Sequence, residues 1–188
     1  MVAQPKVDNR ALPPNDWEGD DYTPGAGGAF VTCQDTAAGR MLYFATNGRK
    51  NLDGKVIRAA IRPPDSDGVT MQQVADAVHR LTSRTLIIPP WSVGQAESHL
   101  RLRKGLVVDG YYGAIPRAYR YQLNADFNHA VFFSHYSKTS GFRMWDPLNP
   151  DIHGFGRWVP TAVFRAFAYS LNDWGERFGY ISLEPIAA

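Results

Sequence analysis

Helical periodicity comes first along this chain and strand texture follows. From Cys33 to Asn47, apolar residues at Ala37, Ala38, Met41, Leu42 and Ala45 recur at the spacing of one helical face, with Gly48 as a C-terminal cap. Cys33 falls in the first turn. Thr70 with Gln73 three residues on makes a capping box ahead of Met71, Val74, Ala75, Val78 and Leu81, which share a second helical face. Ser92 and Gln95 repeat the device for a third helix that runs through Leu100 and stops at Gly105. After Gly105 the pattern becomes that of strands, over Leu106–Tyr112, His129–Tyr136 and Phe142–Asp146, the last two joined by a turn at 138–141 as an antiparallel hairpin. Pro147 and Pro150 end that pairing, Thr161–Ser170 reads as a short helix, and Tyr180–Leu183 as a closing strand. Helices first and strands afterwards predict an α+β fold with the sheet packed on a leading helix.

The segment before Cys33 has a different composition. Residues 1–28 hold Pro13-Pro14, Asp20-Asp21 and Gly25-Ala26-Gly27-Gly28 with few apolar side chains, which predicts an extended arm ahead of one domain spanning 29–188. Such an arm gains order by packing on its own domain or on an assembly partner. A length of 188 residues suits one well-filled core.

Charge narrows the classes of partner. Twenty basic against 18 acidic side chains give a net charge of +2, and the basic run Arg101, Arg103, Lys104 reads as the solvated end of a helix, so no nucleic-acid partner is expected. No apolar run approaches the length of a membrane span, and the N-terminus lacks a signal profile; the expectation is a protein made in the cytoplasm without a signal peptide. One cysteine excludes an intrachain disulfide. Cys33 is therefore packing or chemistry.

A thiol becomes a good nucleophile when ionised, and a helix N-terminus or a neighbouring imidazole ionises it. Cys33 is placed for the first. Of the five histidines, His79 and His99 fall on helices and His153 in a Gly-containing loop, while His129 opens a strand whose hairpin partner ends at Asp146. In an antiparallel hairpin the start of one strand lies near the end of the other, so that imidazole and carboxylate can meet and the acid can orient the ring. A structural histidine and a turn-forming Asp before Pro147 is the alternative for these two residues. Aromatic residues Trp91, Tyr111, Tyr112, Tyr119 and Tyr121 are candidates for a cleft or for simple packing. His129 and His135, six apart and so expected on one strand face, lack the further ligands a zinc set needs, and neither metal nor cofactor is expected.

The order of a Cys opening a helix, Asn128-His129-Ala130-Val131-Phe132-Phe133 opening an apolar strand, and Trp145-Asp146-Pro147 closing the next resembles the papain-like cysteine peptidases of the bacteriocin-processing, C39-like type. Arg157-Trp158-Val159-Pro160 leading into Val163-Phe164 resembles the segment that follows the aspartate there. The resemblance implies a papain-like fold, a helical N-terminal half on an antiparallel sheet, with Cys33 as nucleophile, His129 as base and acid, and Asp146 as its orienter. Two positions depart from the pattern. The residues upstream of Cys33 read Gly25-Ala-Gly-Gly-Ala-Phe30, without the glutamine that such enzymes direct at the oxyanion, and Gln34-Asp35-Thr36 replaces the usual Gly-Pro after the cysteine. Gln34 or a backbone amide is then the candidate oxyanion donor. Asp35 favours the helix start but opposes a thiolate.

Two functions are compatible with this reading. One is a thiol hydrolase that cleaves a peptide or cell-wall (peptidoglycan) amide bond, in a bacterial or bacteriophage setting. The other is a structural virion or tail assembly protein that keeps the peptidase-like fold and ties into neighbours through its arm.

Overall fold

The computed structural model describes residues 33–46, 49–50, 52, 54–63, 68–88, 92–102, 105–148, 156–171 and 180–183. The expected arm over 1–28, Asn47 and the Gly48 cap, Trp91, Arg103, Lys104, Pro150 and His153 lie outside the described residues.

The helices are α1 (Cys33–Ala45), α2 (Gly54–Ile61), α3 (Met71–Thr82), α4 (Val93–Arg101) and α5 (Thr161–Ala168). The capping box ahead of α3 is complete: the Gln73 amide N–H donates to Thr70 Oγ1 at 3.2 Å and the Thr70 N–H to Gln73 Oε1 at 2.8 Å. α3 ends where Ser83 turns left-handed at φ 57° and its N–H returns to the His79 carbonyl. Ser92 Oγ caps α4 by accepting from the Gln95 N–H at 3.0 Å and itself donates to Gln95 Oε1 at 2.7 Å, a side-chain pair in place of the full capping box. α4 ends at Arg101, before the expected stop at Gly105. α2 was not legible as a helix. It forms where α1 receives it: a Cβ on Gly54 would lie 2.8 Å from the Thr36 Cα, and one on Gly39 of α1 2.3 Å from the Leu52 carbonyl oxygen. Only glycines allow the two backbones to approach so closely.

Six strands form one antiparallel sheet among the described residues, in the order β1-β6-β2-β3-β4-β5, with β1 at Leu86–Ile87, β2 at Leu106–Tyr111, β3 at Asn128–Ser137, β4 at Gly141–Trp145, β5 at Arg157–Val159 and β6 at Tyr180–Leu183. The hairpin and the closing strand stand where the sequence puts them. β1 and β5, of two and three residues, carry no alternation long enough to read.

Alternate residues of the central strands enter two cores, one on each face. Val107, Ala130, Phe132 and Trp145 pack with Ala37, Ala38, Met41 and Leu42 of α1 and Val74 and Val78 of α3. Leu106, Val108, Val131, Phe133, Phe142 and Met144 pack with α4 and α5 on the other side. Both faces being covered explains why β3 and β4 read as continuous apolar runs. α1 lies against β3 with its polar residues Gln34, Asp35, Thr36 and Arg40 buried as well, since helices cover it on the side away from the sheet. No helix among the described residues is long and apolar enough to cross a membrane.

One irregularity overturns a sequence expectation. The β3–β4 register slips between Phe133 and His135, so Ser134 is an extra residue on β3 and strand alternation resets there. Ser134 and His135 both turn to the α1 side, where Ser134 Oγ accepts from Trp145 Nε1 at 2.6 Å and the His135 ring meets Phe44 edge-on at 5.0 Å. His129 and His135 therefore do not share a strand face, because a β-bulge between them cancels the even spacing. Among the described residues no three His, Cys, Asp or Glu side chains cluster as a metal set.

Phe132 joins α1 to the sheet: it is fully buried, 5.8 Å from the Phe44 ring. Phe132→Ala is expected to cost about 3–5 kcal/mol of stability, as buried aromatic deletions do. Urea denaturation checks this through a lower midpoint at unchanged slope.

Candidate active site

The hairpin delivers an acid to an imidazole. Asp146 follows β4 directly, and the Leu148 N–H donates to its Oδ1 at 2.9 Å, an Asx turn that Pro147 preforms by fixing its own φ. The same Oδ1 lies 2.8 Å from His129 Nε2, and the Tyr112 hydroxyl donates to Oδ2 at 2.6 Å. All three side chains are buried. An ionised carboxylate only accepts, so the ring nitrogen facing it carries the proton and Nδ1 is left to trade a proton elsewhere.

Rings and a short loop hold this group still. The His129 ring meets Tyr112 edge-on at 5.0 Å and Phe127 at 5.8 Å, and Tyr112 stacks on Phe127. The Tyr112 oxygen also accepts from the Tyr121 N–H at 3.0 Å. Burial, and then the Asp146 charge beside it, push the Tyr112 phenol far up, so it remains a donor across the working range of pH. The Arg120 guanidinium lies over the Tyr112 ring and donates to the carbonyls of Gly113, Ile115 and Ala125, which ties the 113–125 loop beneath it. The sequence left Tyr112 between a cleft wall and simple packing; the fold makes it a buried side chain that also props the acid.

The direction of α1 decides which of its ends meets His129. The Gln34 amide Nε2 donates to Asp109 Oδ2 at 2.8 Å, and in the β2–β3 ladder Asp109 pairs with Ala130 and Gly110 with His129. Further along, Met41 lies beside Gly105 and Phe132, and Phe44 meets Phe132 and His135. α1 thus runs parallel to β3, and its first turn lies where β3 begins. Cys33, the first residue of α1, is half-buried against the core that includes Ala130. The orphan N–H groups of a helix start make that end positive.

One further side chain, Asp109, was not read from sequence as a site residue. Gln34, the candidate oxyanion donor, has its amide turned to Asp109. Asp109 itself interrupts the apolar run Leu106-Val107-Val108, and an acid within a buried strand was the signal available. The residue is half-exposed overall, but its Oδ1 is shut off from solvent and has no hydrogen-bond partner among the described residues. Burial pushes its carboxyl up to about 7, against the opposing pull of His129. Asp35, by contrast, is met by Arg58 of α2 at 3.7 Å, so the negative charge beside the helix start is partly neutralised. Tyr119 and Tyr121 pack on the second core, with Arg157 over the Tyr121 ring at 4.6 Å.

The raised Asp109 carboxyl has a sign that can be measured. The unfolded chain releases this proton near 3.8 and the fold keeps it until about 7, so stability falls as pH rises through that interval and stays lower above it. Asp109→Asn escapes this loss. The variant is expected to match the parent below about pH 4 and to exceed it by on the order of 1–4 kcal/mol near pH 8, read from thermal or denaturant midpoints at the two pH values.

No family model matches the sequence, and no curated protein matches it at a significant level. Solved structures do. A proposed C39-like peptidase from Bacillus anthracis superposes with a TM-score of 0.56 over 84% of this chain and 90% of its own, at 14% sequence identity. At that identity the likeness speaks of fold, and with the element order above it assigns the chain a papain-like α+β fold, helices leading onto an antiparallel sheet.

Proposed function

We propose that this protein is a thiol hydrolase acting on a peptide or amide bond, with Cys33 as nucleophile, His129 as its base and acid, and Asp146 as the group that orients the ring. One observation carries the reading: a buried, hydrogen-bonded His129–Asp146 pair opens the strand along which the cysteine-bearing helix begins. Proton transfer from Cys33 to His129 leaves a thiolate at the positive helix end. The thiolate attacks the scissile carbonyl, and the imidazolium returns its proton to the departing amine. Water, activated by the same ring, then hydrolyses the thioester and restores the thiol. With the Gln34 amide committed to Asp109, oxyanion stabilisation falls to the backbone N–H groups at the start of α1.

The substrate belongs to this proposal as a peptide or cell-wall amide, which is what the family resemblance implies. An architectural role in a virion, with the arm as the tie to neighbours, is the competing reading, and the Gln34 commitment favours it to the extent that a side-chain oxyanion donor is missing.

Labelling the native full-length chain with iodoacetamide separates the two. Rapid modification of Cys33 at neutral pH is expected, slowed by on the order of 100-fold or more in His129→Ala. Modification only after unfolding would overturn the hydrolase and leave the architectural protein. Asp146→Asn is expected to slow labelling strongly as well, since an amide that donates to Nε2 reverses the tautomer. Tyr112→Phe removes one of the three donors to a buried carboxylate, for an expected loss of about 1–3 kcal/mol in thermal denaturation with labelling kept within roughly tenfold of the parent.

A further inference from the structure

His129 has a second acid near it. Asp146 bonds its ring directly, whereas Asp109 reaches it through space from the neighbouring strand, one ladder position from the Gly110–His129 pair. Asp109 has one side-chain partner among the described residues, Gln34, and Gln34 is the residue after Cys33. The carboxylate thus bonds the residue next to the thiol, and its strand position is one ladder step from that of the imidazole. Neither contact serves the cores: Val107 and Val108 on the same strand fill those.

We propose that Asp109 is a positioning residue for the Cys33–His129 pair: its carboxylate pins the first turn of α1 through Gln34 and, once ionised, holds the imidazole of His129 in its protonated form. The inference rests on the thiol–imidazole reading above and deepens it. The groups that face the two residues are few. On the α1 side Asp109 meets Gln34, and the nearest other acid of that turn, Asp35, is turned to Arg58 of α2. α4 and α5 cover the opposite face of β2 through Val108. His129 meets Asp146 and Tyr112 on its own side.

A carboxylate beside an imidazolium favours the charged ring, and a charged ring favours the thiolate. While Asp109 keeps its proton, that support is absent. It arrives as the acid ionises, around neutrality on the burial described above, so the thiol–imidazole pair gains its second counter-charge over that interval of pH. Asp146, with three donors, supplies orientation; Asp109, with one, supplies an adjustable charge.

The test uses the full chain with Asp109→Asn, which keeps an oxygen for Gln34 and removes the charge, and Asp109→Glu, which restores the charge. The His129 ring titration is followed by NMR, and the iodoacetamide rate of Cys33 is measured across pH in the same samples. In Asp109→Asn the ring is expected to lose its proton at lower pH, by on the order of one unit, and Cys33 to react roughly tenfold more slowly near pH 8. Asp109→Glu is expected to return both toward the parent. If labelling depends on His129 while Asp109→Asn leaves ring titration and rate at parental values, the inference is overturned and the thiol–imidazole reading stands. If labelling is independent of His129, that reading fails and the inference falls with it.

Discussion

A carboxylate removed from water costs several kcal/mol unless donors replace its hydration, and Asp146 is fully buried. Its donors come from three separate stretches of chain: Tyr112 after β2, His129 at the head of β3 and Leu148 beyond β4. They converge only if β2, β3 and β4 lie side by side in that order and in the observed register. The acid therefore demands the central sheet that surrounds it. Tyr112 answers to the same demand, since its oxygen is shared with the Tyr121 N–H and its ring is braced by Phe127 and Arg120. A small polar knot and a large apolar framework specify one another here.

α1 joins the two. It is buried on almost every side, and what fixes it along the sheet is a set of contacts spread over its length, from Gln34 on Asp109 to Met41 near Gly105 and Phe44 on His135. A helix so held cannot slide without losing several of them together. The close approach of α2, possible through Gly39 and Gly54, and the Arg58–Asp35 pair secure its other side. The likeness at 14% identity to a solved structure from Bacillus anthracis is a likeness of this chain path. Chemistry has to be argued from the side chains it brings together.

Sequence alone carried much of the architecture. The capping residues at Thr70 and Ser92, the apolar runs of β3 and β4 and the turn between them are local signals, set by residues a few positions apart, and the structure has the helices and strands that they predict. The pairing of His129 with Asp146 was readable because a hairpin is itself local: its turn fixes which residues face each other. β1 and β5 were not readable, since each is too short to show a period, and α2 is formed by what it packs on.

Other features depended on contacts distant in sequence. The bulge at Ser134, which separates His135 from His129, follows from fitting β3 against β4 and α1 at once. Asp109 meets Gln34 across 75 positions, and Tyr112 meets Asp146 across 34. The chain determined on its own which segments become helix and strand and which residues bear chemistry, because those depend on local dihedral preference and side-chain type. Which acid is saturated, which is left with one donor, and which end of α1 meets the imidazole were decided by tertiary packing, because burial and hydrogen-bond supply are properties of the assembled core.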